Sequence, residues 1–177
     1  DGRIHANYNA GSTVTGRLSS SSPNMQQITK KLKPAYVPTP GYYLAELDYS
    51  QIELRVAAFI SRCQPMIEAF KRGDDLHTLL AARVNNVPEE EVTPSMRQGG
   101  KAGNFGLLYG MSPQGFQSYA ENIYGVAMSE EEALKVSNTY FKMWDGLKEW
   151  HALFQRRVHS KGRVVSPLGR VRRLEDK

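Results

Sequence analysis

Helical spacing of apolar residues dominates the chain after residue 50. Ile52, Val56, Phe59 and Ile60 recur at helical spacing, and Ser50 followed by Glu53 matches a capping box at the start of that helix. Caps and periodicity predict four more helices. These are expected to begin near Asp74 or Asp75, at Thr93-Pro94, at Ser129 with Glu132, and after Asp145-Gly146.

Short runs of β-type residues surround these helices. Tyr42–Leu47 follows Pro-Gly and predicts a buried strand that ends at Asp48. Two short strands about a Pro and Gly turn are predicted within residues 162–172. The serine run at 19–22 could be a flexible linker, but its flanks are too specific in composition for a spacer. We therefore interpret it as part of a folded segment.

Composition fits one ordinary globular domain. Of the 177 residues, 40% are hydrophobic and 23% are charged, which argues against disorder. The single cysteine, Cys63, cannot form an intrachain disulfide, and no apolar run approaches the roughly 20 residues of a membrane span. We expect a soluble, cytoplasmic protein without membrane contact. Because the chain begins with Asp1, we also expect it to be a piece of a longer protein.

The net charge of +5 is concentrated at one end of the chain. Residues 1–150 carry 15 basic and 16 acidic side chains, whereas residues 151–177 carry eight basic and two acidic ones. Such a cationic end is typical of a segment that contacts nucleic acid, and it equally fits a solvated hairpin.

The helix predicted from Thr93 carries the clearest candidate site. Arg97, Lys101, Phe105 and Tyr109 lie four residues apart and form one slowly winding stripe. Two cations followed by two aromatic rings suit a nucleoside triphosphate, with its phosphates at the cationic end. The alternative is an aromatic core with a solvated flank. Against it, each glycine in this helix costs about 0.8–1 kcal/mol relative to alanine, which indicates close approach or movement at Gly99, Gly100, Gly103 and Gly106.

Four other residues have both a functional and a structural interpretation. Asp48, at the end of the predicted strand, could bind Mg²⁺ or cap a helix. His77, at a helix start, could bind phosphate oxygens or cap and pack. Arg17 could contact a DNA phosphate or groove, or remain solvated. The capping box already accounts for Glu53.

Four blocks together resemble the family A DNA polymerases, the DNA polymerase I type found in bacteria and phages. They are residues 13–28, 48–55, 75–78 and 97–110, in the family's order and with similar spacing. The resemblance implies an α+β fold, with a partial polymerase palm sheet and a predominantly helical fingers subdomain. It assigns residues 1–62 to the palm side, with a primer/template-binding loop and the first metal-carboxylate motif. Residues 63–160 become helical fingers, with the nucleotide-binding helix at 94–110, and 161–177 a basic β-hairpin at the truncated end.

The resemblance also implies roles for individual residues. Two Mg²⁺ ions are expected, with Asp48 and the Tyr49 carbonyl as ligands, and the implied catalytic residues are Asp48, Arg97 and Lys101. Glu53 is implied as the steric gate that excludes a ribose 2′-OH. The implied nucleotide-binding residues are Ser50, Gln51, Ile52, Glu53, His77, Arg97, Lys101, Phe105 and Tyr109. Contacts to primer–template DNA are implied for Arg17, Asn24, Gln27, Tyr109, Gly110 and Ser112.

Some features depart from the family. No His-Asp pair occurs in the sequence, so the later block that supplies a second metal-binding carboxylate is absent. Glu175 and Asp176 lack the strand context of that block. The thumb is also absent, and Gln98 and Gln27 stand where Arg and Asn are common. We therefore expect the isolated chain to be inactive without the missing thumb and the rest of the palm.

The implied function is template-directed DNA synthesis, in which a longer DNA polymerase adds dNTPs to a primer 3′ end. Its expected partners are primer–template DNA, dNTPs and the remainder of the polymerase. Two alternatives stay open: a non-catalytic nucleic-acid-binding part of a split polymerase, and a single-subunit RNA polymerase relative. Glu53 and Phe105 argue against the second, because that class lacks the acidic gate and has no Phe at this position of the fingers helix.

Overall fold

A computed structural model describes residues 2–29 and 31–174. The chain divides into two compact units, Asp1–Tyr49 and Ser50–Lys177. In the described ranges, no helix combines the length and apolar composition that crossing a bilayer demands.

The first unit contains one small antiparallel hairpin. Strand β1 (Asn7–Asn9) pairs with β2 (Ser19–Ser21), with Asn7 opposite Ser21. The serine run is therefore folded, because the buried Ser20 hydroxyl accepts from the Met25 amide at 3.1 Å and donates to the Pro23 carbonyl at 3.3 Å. Two 3₁₀ turns follow, at Met25–Gln27 and Lys33–Ala35.

The predicted strand at Tyr42–Leu47 is wrong. These residues have no regular secondary structure in the described chain, and Tyr43 is 97% exposed. A β-strand requires a neighbouring strand to pair its N–H and C=O groups, and the described ranges place none beside this segment. An apolar run is therefore insufficient here to form the strand.

The second unit contains seven α-helices, one 3₁₀ turn at Glu89–Glu91 and a hairpin among its described residues. The helices are α1 (Ile52–Ser61), α2 (Gln64–Arg72), α3 (Leu76–Asn85), α4 (Pro94–Leu108), α5 (Pro113–Tyr124), α6 (Glu130–Met143) and α7 (Leu147–Lys161). Strands β3 (Arg163–Val165) and β4 (Val171–Arg173) pair antiparallel, which confirms the predicted hairpin. The α+β class with a predominantly helical second part is confirmed.

Local caps explain where most of these helices begin. Thr93 accepts from the Met96 amide ahead of a proline at the start of α4, and Asp75 accepts from the His77 amide at the start of α3. Ser129 and Glu132 form a reciprocal capping box at α6. These three predicted starts are confirmed, whereas α2 and α5 were not predicted.

The start of α1 differs from the prediction. Gln51, rather than Ser50, is the N-cap residue; its backbone is left-handed, with φ 52°, and its side chain makes no capping bond. The predicted capping box is therefore wrong, and the Glu53 carboxylate accepts a hydrogen bond from the Tyr109 hydroxyl. The apolar stripe of α1 is helical but not buried: Phe59 is 74% exposed, while Leu54 on another face is in the core.

Residues of all seven α-helices contribute to the core, and glycines of α4 permit the close approach of α4 to α3 within it. A methyl group built on Gly100 would stand 2.2 Å from the His77 carbonyl oxygen of α3. One on Gly103 would stand 2.9 Å from Leu80 Cδ2, also on α3. Both distances are below van der Waals contact, but the end of the Leu80 side chain can move whereas the His77 backbone cannot, so Gly100 is the position where only glycine permits this approach.

Two alanine substitutions in α4 distinguish the effect of helix–helix packing on stability from the effect of helix propensity. Gly100→Ala is expected to destabilise the chain by about 1–3 kcal/mol, because its methyl group would collide with fixed backbone. Gly99→Ala is the matched control, since its Cβ would meet only Val126 Cγ1, at 3.9 Å. It should stabilise the chain by up to about 1 kcal/mol. Urea denaturation measures both changes, and equal effects would contradict the packing explanation.

Candidate functional site

The predicted stripe lies on the less buried face of α4. Arg97 is exposed, Lys101 and Phe105 are half-buried, and Tyr109, directly after the helix, is 61% exposed. The opposite face is the glycine face that packs on α3 and α5. Phe105 and Tyr109 are therefore outside the core, and both aromatic rings are accessible to a ligand.

Arg97 is held by a carboxylate at the start of α3. Its Nε and Nη2 atoms lie 2.7 and 2.6 Å from Asp75 Oδ2. Burial alone would raise the pKa of Asp75, but the hydrogen bonds from Arg97 and from the His77 amide outweigh it and hold the pKa below its usual value. Asp75 thus remains charged and orients the Arg97 guanidinium.

His77 is a core residue and a candidate site residue at once. It is 3% exposed, its ring lies 5.6 Å from that of Phe105, and its Nδ1 atom lies 3.3 Å from Asn104 Nδ2. Burial lowers the His77 pKa to about 4, although the charge of Asp75 opposes this shift. The ring is therefore neutral near pH 7. The two hydrogens of Asn104 Nδ2 point to the Leu76 and Gly100 carbonyls, so the longer contact to Nδ1 leaves the tautomer of the ring open.

Asn104 was missed by the sequence analysis. Its Nδ2 atom donates to the carbonyls of Leu76 at 2.9 Å and Gly100 at 3.1 Å, so it links α3 to α4. Its Oδ1 atom is buried, with no partner among residues 2–29 and 31–174. The available signal was a polar residue on the glycine face of α4, four positions after Gly100.

Lys101 lies close to an aromatic ring of α5. Its Nζ atom is 5.9 Å from the centre of the Tyr124 ring, a distance at which a cation–π attraction operates. Burial and the neighbouring Tyr119 hydroxyl raise the pKa of Tyr124, so the phenol stays neutral. Tyr124 was not singled out in the sequence, since nothing local relates it to α4.

The two residues at the far end of the stripe contact each other. The Tyr109 hydroxyl donates to Glu53 Oε2 at 2.7 Å, which joins the end of α4 to the first turn of α1. Gly110 follows with φ +76°, and the Ser112 hydroxyl caps α5 by accepting from the Gly115 amide. Ser112 therefore has a structural role besides the predicted DNA contact.

The start of α1 lies beside α3. Gln51 Oε1 accepts from the Leu76 amide at 3.3 Å, and the Ser50 carbonyl accepts from Arg55 Nε at 2.9 Å. Ile52 is partly exposed. The structure therefore brings Gln51 and Glu53 to the ends of α3 and α4 respectively.

The remaining predicted site residues belong to the first compact unit. Asp48 and Tyr49 are exposed, as are Arg17, Asn24 and Gln27. Asn24 caps the 3₁₀ turn at Met25–Gln27 by accepting from the Gln26 amide. Their roles in metal and DNA binding stay predictions.

The described residues do not assemble a two-metal centre. No group of three or more His, Cys, Asp or Glu side chains that could hold a metal occurs in the described part of the chain. Asp48 offers a single carboxylate, and hard cations in phosphoryl-transfer sites are usually held by more oxygen ligands than one. Glu175 and Asp176 lie outside the described residues.

Comparison with known proteins decides the family. The model of DNA polymerase family A matches residues 1–177. The chain belongs to this family. It is 40% identical to DNA polymerase I of Aquifex aeolicus over 164 residues, which cover 93% of this chain and 29% of that protein. It is 38% identical to the thermostable DNA polymerase I of Thermus thermophilus over 181 residues, covering 99% of this chain and 21% of that protein.

A solved family A structure matches the fold as well. It is the POL domain of Pol1 from M. smegmatis in complex with DNA primer-template and dNTP, with a TM-score of 0.79 and 38% identity. The match covers 97% of this chain and 30% of that one. The chain thus spans less than a third of the family A proteins it is compared with here.

The buried neutral histidine makes the stability of this family A chain pH-dependent. Between pH 6.5 and about 4, unfolded His77 binds a proton that the folded ring does not, so stability should fall as pH falls through this range. The expected contribution is at most about 1.4 kcal/mol per pH unit. His77→Gln should remove it from denaturation curves. An NMR titration midpoint of the His77 ring near 6.5 would contradict the burial effect.

Proposed function

We propose that this chain is the nucleotide-holding part of a DNA polymerase that adds dNTPs to a primer 3′ end. The observation that carries the proposal is the exposed α4 face, where Arg97 and Lys101 precede Phe105 and Tyr109 beside the neutral His77. Family membership supports it, because the relatives are DNA polymerases. We include in the proposal residues 63–160 as fingers and residues 1–62 as the palm side.

The cationic end of α4 suits the triphosphate. Arg97 offers a planar donor set oriented by Asp75, and Lys101 lies one turn further along as a mobile point charge. His77 is included in the proposed site as a neutral imidazole packed behind Phe105. Phosphoryl transfer depends mainly on positioning and on neutralising charge. The two cations supply both on one face of α4.

The aromatic end of α4 suits the base and the sugar. Phe105 is half-buried against His77, so its remaining face is held in place for stacking on the incoming base. Glu53 lies beside Tyr109 and would leave no room for a ribose 2′-OH. Tyr109 with Gly110 and Ser112 would hold the template-base position, and Arg17, Asn24 and Gln27 would contact primer–template DNA.

In this proposal the chain alone is not sufficient for catalysis. Asp48, with the Tyr49 carbonyl, would contribute one carboxylate to the two Mg²⁺ ions expected in the complete enzyme, but the described residues do not complete such a site. The chain on its own is proposed to hold nucleotide and nucleic acid without turnover.

Primer extension tests the assignment of α4. In the polymerase that contains this chain, Lys101→Ala and Arg97→Ala should each lower kcat/KM for dNTP by roughly a hundredfold or more, because transition-state charge loses its partner. Asp48→Ala should abolish extension, and the 177-residue chain alone should show none. Lys148→Ala, an exposed lysine of α7, is the matched control and should extend normally. Normal extension by Lys101→Ala would rule out the triphosphate role.

Sugar discrimination tests the role of Glu53. Glu53→Ala should raise rNTP incorporation relative to dNTP by about tenfold or more, since the 2′-OH gains room. Glu53→Gln keeps the side-chain volume and an acceptor for Tyr109, so it should retain most of the discrimination. An unchanged ratio in Glu53→Ala would count against the gate and favour the RNA polymerase alternative.

A further inference from the structure

His151 on α7 contacts the end of α4, a helix that is distant from it in the sequence. Its Nε2 atom lies 2.9 Å from the carbonyl oxygen of Leu108, the last residue of α4. A carbonyl can only accept, so Nε2 carries the proton and donates. The ring is half-buried. Its centre lies 5.9 Å from that of the Phe141 ring, which it meets edge-on, and 5.3 Å from that of the Trp150 ring. These neighbours fix its orientation.

This bond satisfies the one terminal carbonyl of α4 that the local backbone does not reach. The last four carbonyls of a helix lack partners within it. Three of them accept from the following turn: Phe105 from Tyr109, Gly106 from Met111 and Leu107 from Gly110. For Leu108, which is 7% exposed, the donor within residues 2–29 and 31–174 is His151. A buried carbonyl left without a donor is unfavourable, so the bond should fix the backbone at this point.

The residue that projects from this point is Tyr109. Its side chain is largely exposed, so packing restrains it little, and its hydroxyl must reach Glu53 Oε2 at 2.7 Å. The position of that hydroxyl therefore depends on where the backbone at Leu108 is held. We propose that His151 is a positioning residue: by donating to the Leu108 carbonyl it sets Tyr109 against Glu53 and so sharpens the choice between deoxyribose and ribose. This inference rests on the proposed function of Glu53 and extends it to a residue of α7.

Two substitutions separate the hydrogen bond from the volume of the side chain. His151→Leu fills similar space without a donor, whereas His151→Gln carries an amide N–H that can stand in for Nε2–H. His159→Leu is the matched control, because His159 lies exposed on the same helix. All three are made in the polymerase that contains this chain, and the measured quantity is the ratio of kcat/KM for dNTP to that for rNTP.

We expect His151→Leu to lower this ratio roughly tenfold, a loss of the size that small misplacements cause. His151→Gln should restore most of the ratio, and His159→Leu should match the unsubstituted protein. A ratio unchanged in His151→Leu would overturn the proposal, and so would an equal loss in His151→Gln and His151→Leu.

Amide hydrogen exchange gives a readout independent of the reaction. In His151→Leu, exchange should quicken at Tyr109, Gly110 and Met111, the amides that close the end of α4, and stay unchanged in α3. Unchanged exchange at these three amides would also overturn the proposal. A failure of the proposed function of Glu53 gives a different result. In that case Glu53→Ala leaves the dNTP to rNTP ratio unchanged, while His151→Leu still quickens amide exchange at the end of α4.

Discussion

The close approach of α4 to α3 is the constraint on which the rest of this molecule depends. At Gly100 the two helices come so near that a methyl group would stand 2.2 Å from the His77 carbonyl oxygen. Because the glycine face of α4 must point at α3, Arg97, Lys101 and Phe105 lie on the less buried side. The same approach brings Asn104 within hydrogen-bonding distance of the Leu76 carbonyl. The close approach of α4 to α3 thus explains both the glycines of α4 and the position of the candidate site residues on its other face.

This packing also sets the electrostatics of the site. His77 is buried by the contact and kept neutral, while Asp75, two residues earlier at the N-cap of α3, stays charged and holds Arg97. Arg97 and Lys101 are therefore the charged groups on this face, and the proposed contact with the phosphates of a nucleotide rests on them.

The two ends of α4 are held in different ways. Its first turn combines a local cap at Thr93 with the ion pair of Arg97 and Asp75. Its last turn depends on distant residues, since Tyr109 reaches Glu53 on α1 and the Leu108 carbonyl is reached from α7 by His151. Residues of α1, α3 and α7 therefore all contact α4 or the residue directly after it.

The sequence by itself determined the features that depend on neighbouring residues. The starts of α3, α4 and α6, the stripe along α4 and the C-terminal hairpin follow from caps and periodicity within about one turn. The tertiary structure decided contacts between residues far apart: Asn104 with Leu76 across 28 positions, His151 with Leu108 across 43, and Tyr109 with Glu53 across 56. The last of these contacts involves Glu53, for which the sequence had predicted a role in a capping box. Likewise Tyr42–Leu47 has strand-like residues but forms no strand, because a strand exists only where another backbone completes its hydrogen bonds, and no local pattern encodes that partner.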